Sequence, residues 1–576
     1  MFARYALTFG RGAHRHGLRA AAISLGLATI IDRSDLLFVA ERGTPSLEAS
    51  GKILVGQIFS PNGVRLASLD PLLDAAAPDQ GATLPDHYWG NFALFESAGG
   101  QASVYREPSG SIPVYHCRQN GEDLFVSDAD FAARLGLLRD ASPDGQFAVH
   151  WLQFPFLRTC RSGLDGVTEI LPGVRWTQKP SGGWQETAIW RPAAFLARRD
   201  AILDPAEAKC RLRETALATI ATQVPRAKPL LQLSGGLDSS IIAACLGEAG
   251  TDFAAVTFAT RSPDGDERDY ARDVAKKVGV RLRELLEEDA KSLDPHPSPS
   301  FRPPANPLLR SLQAAIASAA AELQCDLIVD GAGGDNLFCS VTSPAPILDA
   351  LWWRGPRAAL ESASNIAARA DCTWWEVARA TCRRALRPKA AWKEDRSLLR
   401  REVLLSGPER HPWLEGLPTA LPGKKEHVEA LVHIQHFLDR GAPCGIALLH
   451  PLMAQPLLEL CLRIPSWMWV RGGRDRAIAR DAFRDLLPGS VYRRRSKGSL
   501  EGLLHRAFAR LAPDMRAILM TGELRRNRIL DVDALDGAFA ASEFGRDDLQ
   551  LRISELVALE LWMGCWRTSA GFANAV

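Results

Sequence analysis

Along the first 195 residues, short apolar runs alternate with turn-forming clusters: YALTFG from Tyr5, KILVGQIF from Lys52, NFALFES from Asn91, ASVYREPSGSIPVYHC from Ala102 and DLFVSD from Asp123. Runs this short, bounded by Gly, Pro, Ser and Asp, predict strands and a β-rich domain over residues 1–195. From Asp204 the pattern lengthens into helical stretches around a few buried strands, PLLQL at Pro229, FAAVTFAT at Phe253 and CDLIVDG at Cys325. That pattern predicts an α/β domain with a parallel sheet over 204–576. The break falls in RPAAFLARRDAILDPAEA, a proline-bearing polar linker. The segment LRAAAISLGLATIIDRSD, followed at once by the strand-like DLLFVAER, is read as two early strands. Its apolar run is too short to span a bilayer, and a secretion signal is disfavoured.

Within the second half, LLQLSGGLDSS (Leu230 to Ser240) stops a buried strand at two glycines and then opens a helical pattern, SSIIAACLGEAG. Strand, glycine turn and helix form half of a βαβ unit, in which the backbone N–H groups and the helix dipole favour an anion. Gly235 and Gly236 let a phosphate approach with no Cβ in the way. Ser234, Ser239 and Ser240 add hydroxyl donors, and Asp238 adds a carboxylate. A carboxylate beside phosphate is repulsive unless a cation lies between them, which points to Mg²⁺ bridging Asp238 and phosphate oxygens. An ordinary tight turn with a helix N-cap is the plain alternative for the glycines alone.

Composition narrows the picture little. The chain has 576 residues, room for two or three domains, and a net charge of +2, so bulk electrostatics make no case for nucleic acid. The 11 cysteines lie between Cys117 and Cys565 with no CxxC pair, which argues against a zinc site or a disulfide framework and fits a reducing cytoplasm.

The S-G-G-L-D-S-S string resembles the pyrophosphate-binding loop of the ATP pyrophosphatases of the asparagine synthetase superfamily; no G-K-S/T follows, so it is not a Walker A loop. The resemblance implies ATP cleavage between the α and β phosphates and an acyl-adenylate. It implies an N-terminal nucleophile (Ntn) amidotransferase-like sandwich followed by an adenine-nucleotide α-hydrolase-like parallel-sheet synthetase domain. GNFALF at Gly90, REPSGSIPVYH at Arg106 and LFVSD at Leu124 match the glutaminase half of that family. Its nucleophile does not: those glutaminases need cysteine directly after the initiator methionine, and this chain begins Met1-Phe2-Ala3. Without that thiol, glutamine hydrolysis has no nucleophile.

Further matches follow in family order. DGDERDYARDVAKKVG, from Asp264, resembles the helix after the second strand, and VDGAGGDNLF, Val329 to Phe338, resembles the S-G-E-G-x-D-E-x-F loop. The resemblance makes Asp335 a second carboxylate on Mg²⁺ with Asp238, and assigns Leu233, Ser234, Gly235, Gly236, Leu237, Ser239, Ser240, Thr257, Gly333 and Gly334 to the nucleotide. RGGRDRAIARDAFRDLLPGSVYRRRSKGSL resembles a G-x-x-K-x-x-L-R-like helix leading to a basic stretch whose functional lysine is Lys497, a charge stabiliser for the adenylate and the oxyanion. The fifteen tryptophans, Trp467 and Trp469 among them, are read chiefly as core, with a peptide cavity as the other use.

Two departures bear on the reaction. Ala332 stands where the family has glutamate or tyrosine. The D-R-x-S-M…E-x-R-x-P-F-L-D region reads DRGAPCGIALLHPLMAQPLLE, keeping Asp439, Arg440 and Pro451 and losing E-x-R. With IPSWMW and RRSKGS after it, this form is similar to the cyclases that close lasso peptides. That resemblance implies ATP- and Mg²⁺-dependent adenylation of an Asp or Glu side chain of a ribosomal precursor peptide, then attack by the peptide's N-terminal amine. It implies a leader peptidase and a leader-binding protein as pathway partners, with no nucleic acid and no membrane. A peptide α-amine has a pKa of about 8, so a strong dedicated base is less necessary. The alternatives are an ammonia-dependent asparagine synthetase or β-lactam synthetase-like ligase and, from another class, a non-catalytic peptide-binding protein.

Overall fold

The computed structural model describes residues 3–572 apart from 11–12, 71–83, 120, 139–140, 225–227, 260–264, 287–292, 294–297, 305, 387–391, 439–444, 496–497, 499–500 and 543–546. The first twelve strands are β1 Tyr5–Phe9, β2 Ala28–Arg33, β3 Leu36–Ala40, β4 Ser46–Ala49, β5 Lys52–Phe59, β6 Trp89–Ala98, β7 Gln101–Arg106, β8 Tyr115–Gln119, β9 Glu122–Val126, β10 Val167–Glu169, β11 Val174–Gln178 and β12 Trp184–Ala188. They form two six-stranded antiparallel sheets, ordered β10-β8-β9-β1-β3-β2 and β12-β11-β7-β6-β5-β4. Period-two alternation sets the layers. Tyr5, Leu7, Phe38, Val55, Phe95 and Phe125 fill the space between the sheets. Ala6, Leu37, Val39, Leu124 and Val126 point the other way, beneath Leu18 and the C-terminal helical residues Leu511, Met515, Leu556 and Trp562. Both faces of the first sheet are thus covered, and LLFVA of β3 is apolar throughout for that reason.

One expectation is corrected here. LRAAAIS does not form a strand; it ends the helix Ala13–Ser24, and only ATIIDR becomes β2. Leu18 and Ala22, four apart, bury one helical face on the first sheet. Gly26 at φ 65° then stops the helix, while the Leu27 and Gly26 N–H groups donate to Ala22 O and Ile23 O. The linker is also packed more firmly than its composition suggests: Leu196 and Ile202 are buried, and Asp204 caps the helix Pro205–Thr222 through the Ala206 and Glu207 N–H groups.

The remaining strands, β13 Pro229–Gln232, β14 Ala254–Ala259, β15 Arg281–Leu286, β16 Leu327–Val329 and β17 Ala447–Leu449, form a parallel sheet ordered β15-β14-β13-β16-β17. Alternate residues again divide between two layers, Leu231, Ala255 and Val329 into the main core and Leu230, Val256 and Ile328 into a smaller one with Ile316 and Ala320. The strand order reverses direction at β13, so the crevice for a ligand lies at the C-terminal ends of β13, β14 and β16. Phe59, Trp89, Phe154 and Trp190 from the antiparallel region share the main core with Leu231 and Ile241. Trp413 Nε1 donates to Pro172 O and Trp190 Nε1 to Glu459, at 2.9 Å each. No helix among the described residues is long and apolar enough to cross a membrane, and the ten cysteines described are free thiols.

Candidate active site

The glycine loop leaves β13 at its C-terminal end, where Leu233 N–H still donates to Val256 O of β14 at 2.8 Å. Gly235 then turns the chain at φ 69°, and a Cβ there would lie 2.4 Å from Tyr270 Cβ and 2.7 Å from Ala271 N. Close packing on the helix Arg268–Val278 therefore requires glycine at position 235, a constraint the sequence did not reveal. A Cβ on Gly236 would meet only Ser234 Oγ at 3.2 Å, so this position keeps the open face. Gly236 is the N-cap of the helix Leu237–Glu248 and no side chain caps it, which leaves first-turn N–H groups and the positive dipole end toward the loop. Ser234, Ser239 and Ser240 brace the turn: Ser240 Oγ donates to Gly236 O at 2.6 Å, and Ser234 Oγ lies 3.3 Å from Ser239 Oγ. Leu233 and Thr257 are buried at the ends of neighbouring strands.

The second glycine loop follows β16 and is folded onto the first. A Cβ on Gly334 would lie 2.3 Å from Asp238 Cγ, and one on Gly331 would lie 2.9 Å from Ser239 N. Gly333, at φ 86°, backs onto Met453. Asp335 is thereby carried to Asp238, and the two carboxylates share one cation, Arg476. Its Nη1 lies 3.3 and 3.2 Å from the two Asp238 oxygens and donates also to Asp335 Oδ1. Its Nε lies 3.3 Å from Asp475 Oδ2, and its backbone is left-handed at φ 49°. Arg476 was missed in the sequence, although the signal was there: it occupies the lysine position of the G-x-x-K-x-x-L-R-like pattern that begins at Gly473.

Convergence of two carboxylates on one guanidinium nitrogen shows a cation position between them. Among the described residues no group of three or more His, Cys, Asp or Glu is arranged to hold a metal. Asp238 and Asp335 therefore fit an ion that takes one or two carboxylates and completes its shell with water and phosphate, as Mg²⁺ does, and not an all-protein cage.

The basic stretch lies over the same loop. Arg494 donates to Glu267 at 2.6 Å and to Gly235 O at 3.3 Å, and its guanidinium stacks 4.0 Å from the centre of the Tyr270 ring. Gly498 N–H donates to the same Glu267 oxygen at 2.9 Å. Lys497 lies outside the described residues, as do Phe2, Asp439 and Arg440. A cavity of 270 Å³ adjoins the site, lined by Arg369, Arg474, Asp475, Arg494 and Arg495 among others. Trp469 is fully buried in the core and does not line a cavity wall.

Residues 213–564 match the family model for asparagine synthase. The chain is 26% identical over 416 residues to the carboxyethyl-arginine β-lactam-synthase of Streptomyces clavuligerus, a match covering 72% of this chain and 64% of that protein. The chain thus spans just under two thirds of the length of that relative. Among solved structures, an allosteric regulatory enzyme of purine biosynthesis matches at 9% identity and a TM-score of 0.22, covering 57% of this chain and 89% of that one. The glutamine phosphoribosylpyrophosphate amidotransferase from B. subtilis, complexed with ADP and GMP, matches at 10% identity and a TM-score of 0.23, covering 57% and 90%. These two structural likenesses are too low to carry an argument.

Proposed function

The chain belongs to the asparagine synthase family, and from that premise we propose that it is an ATP-dependent, AMP-forming amide ligase that closes the isopeptide ring of a lasso peptide. The observation that carries the ligase reading is the meeting of Asp238 and Asp335 at one cation position above the Ser234–Ser240 loop. Mg²⁺, when bound there, supplies charge neutralisation for ATP phosphates. The helix Leu237–Glu248 directs its amides to the pyrophosphate, the loop residues exclude bulk from the phosphate path, and Lys497 stabilises the charge that develops on the adenylate and oxyanion. Asp238 and Asp335 would hold the ion in the position that Arg476 occupies here.

The ring-closing reading rests on finer sequence marks. Ala332 and the H-P-L-M-A-Q-P-L-L-E form remove the acid and the E-x-R pair that a small-amine synthetase uses. A peptide α-amine needs neither. Residues 1–195 serve as a scaffold packed on the synthetase domain of 204–576, and the enzyme works in the cytoplasm beside a leader peptidase and a leader-binding protein. A second reading, an amide ligase for a small β-amino acid, is favoured by the 26% identity to a β-lactam-synthase.

The test uses a precursor peptide of the lasso class, synthesised without its leader. ATP should be stable with enzyme alone and give AMP and pyrophosphate when the peptide is added, with loss of one water from the peptide. Changing the acceptor Asp or Glu of the peptide to Asn or Gln should stop AMP formation. Acetylating its N-terminus should stop ring closure and leave adenylation. ADP as the product would sink the mechanism, and activity only with a free amino acid would favour the second reading.

A further inference from the structure

Loss of the E-x-R pair leaves the site without the side chains that its relatives place on the last strand of the sheet. Counting back from Pro451, the two positions are Ala447 and Leu449, and both are buried apolar residues of β17. The polar group at that strand end is instead the next residue, His450. Its Nδ1 lies 2.7 Å from Asp330 Oδ1 and its Nε2 lies 2.9 Å from Leu438 O. Both neighbours are acceptors, so His450 is anchored at both ring nitrogens. Asp330 ends β16, where its own N–H donates to Leu449 O at 3.3 Å, and its carboxylate also accepts from Ala332 N–H at 3.0 Å. The pair therefore sits at the C-terminal ends of β16 and β17, directly before Gly331, whose α-carbon packs on Asp238 and Ser239. His450 is nearly buried, whereas the Asp330 side chain keeps 20% of its surface.

We propose that Asp330 is the catalytic carboxylate that receives the attacking amine, and that His450 is the positioning residue that holds it; this rests on the ring-closing reading above. Asp330 draws the peptide α-ammonium to the strand ends beside the glycine loops. In its neutral form that amine attacks the acyl carbon of the adenylate: the C–N bond forms, the C–O bond to AMP breaks, and AMP leaves with the electron pair. The proton shed by nitrogen passes to Asp330 and then to solvent. Nitrogen becomes far more acidic as the C–N bond forms, so an ordinary carboxylate suffices. His450, 2.7 Å from the same carboxylate, holds Asp330 in orientation while the amine arrives.

Asp330→Asn and His450→Gln test this by separating the half-reactions. With the N-acetylated, leaderless precursor peptide, exchange of labelled pyrophosphate into ATP should stay within about threefold of wild type, because adenylation does not use Asp330. Hydroxylamine, largely unprotonated at neutral pH, should still trap the acyl group as a hydroxamate at the wild-type rate. Ring closure of the free peptide should fall by about 10² in Asp330→Asn and less in His450→Gln, the scale of a lost general base. Asp330→Glu should recover part of it. Exchange and closure falling together, or closure unchanged, would overturn the proposal. No AMP from the wild-type chain with this peptide would instead overturn the functional reading, since that outcome does not involve Asp330.

Discussion

Two carboxylate–arginine clusters in this molecule arrange their charges differently: one gathers cations around a single buried anion, the other gathers anions around a single guanidinium. In the first, Glu169 is completely buried and bound by three guanidiniums: Arg106 at 2.6 Å, Arg158 at 2.5 Å and Arg302 at 2.8 Å. Burial alone would raise its pKa, but Arg158, Arg302 and Arg106 together hold it well below the usual carboxylate range. Spare donors find carbonyls, Arg158 at Gln435 O and Arg106 at Gly110 O and Ile170 O. In the second, Arg476 is shared by three carboxylates, Asp238, Asp335 and Asp475, with Arg480 and Arg369 also 3.3 and 3.9 Å from Asp475, and Asp335 is 39% exposed. The first cluster surrounds one buried anion with cations, and it ties antiparallel strands to the helix Pro422–Leu438 through Arg158 and Gln435 O. The second gathers several anions around one guanidinium and opens to solvent at Asp335, so the cation between Asp238 and Asp335 can be exchanged. The arrangement of charge and its exposure, not the number of contacts, separate a clamp from a site.

The largest effect should come from the exposed cluster. Asp238→Ala and Asp335→Ala should each lower AMP formation by at least about 10³ while circular dichroism and Tm stay near wild type, because each removes a metal position and little core volume. Full turnover in either variant would remove that residue from the site.

Next comes the cation-rich clamp. Glu169→Gln leaves three buried guanidiniums without their counter-charge and should cost about 3–5 kcal/mol in denaturant unfolding. Because the folded pKa of Glu169 is depressed, its stabilisation is complete above the unfolded carboxyl value of about 4.3 and is lost as pH falls through the depressed value. The stability gap between wild type and Glu169→Gln should thus be widest near neutrality and narrow below about pH 4. A constant gap would show that shape, not charge, is what Glu169 supplies.

A smaller, local effect is expected at the contact between the two glycine loops. Gly334→Ala forces a methyl against the Asp238 carboxylate, 2.3 Å from Cγ, so Asp238 must swing out of the cation position. Turnover should fall about 10- to 100-fold with little change in Tm, the usual consequence of misplacing a positioned group by about an ångström. Equal activity would mean that Asp238 works from another rotamer.

Much of the site was legible, and the reasons are local. Asp238 and Asp335 each stand in an unbroken motif at a strand end, where neighbours in sequence are neighbours in space. The strand-to-helix change at Pro229–Glu248 and the helix Arg268–Val278 were legible for the same reason. The Glu169 clamp was not: its arginines lie 63, 11 and 133 residues from it, and no spacing rule connects them. The packing demand on Gly235 was hidden because its partner, Tyr270, belongs to a different element. LRAAAIS was misread since a short apolar run has no decisive period until its tertiary partner is known. Asp330 and His450 escaped notice as well: each stands inside a compared motif, but they are 120 residues apart and only the fold pairs them.

The finest test of the comparison asks whether the two clusters respond differently to a divalent cation. Arg476→Ala removes the guanidinium that Asp238, Asp335 and Asp475 share, while Arg480 and Arg369 stay 3.3 and 3.9 Å from Asp475. Like charges this close repel, and without metal the variant should lose about 1–2 kcal/mol. If the cation position is exchangeable, millimolar Mg²⁺ should restore that loss in the absence of nucleotide, since an ion that binds only the folded state stabilises it by mass action. Mn²⁺, followed by its paramagnetic relaxation of water, should bind the variant several-fold more tightly than wild type, where Arg476 competes for the same oxygens. Glu169→Gln offers no such position, and Mg²⁺ should leave its Tm unchanged. A loss in Arg476→Ala that no divalent ion repairs would place Arg476 with the clamp and make the second cluster structural too.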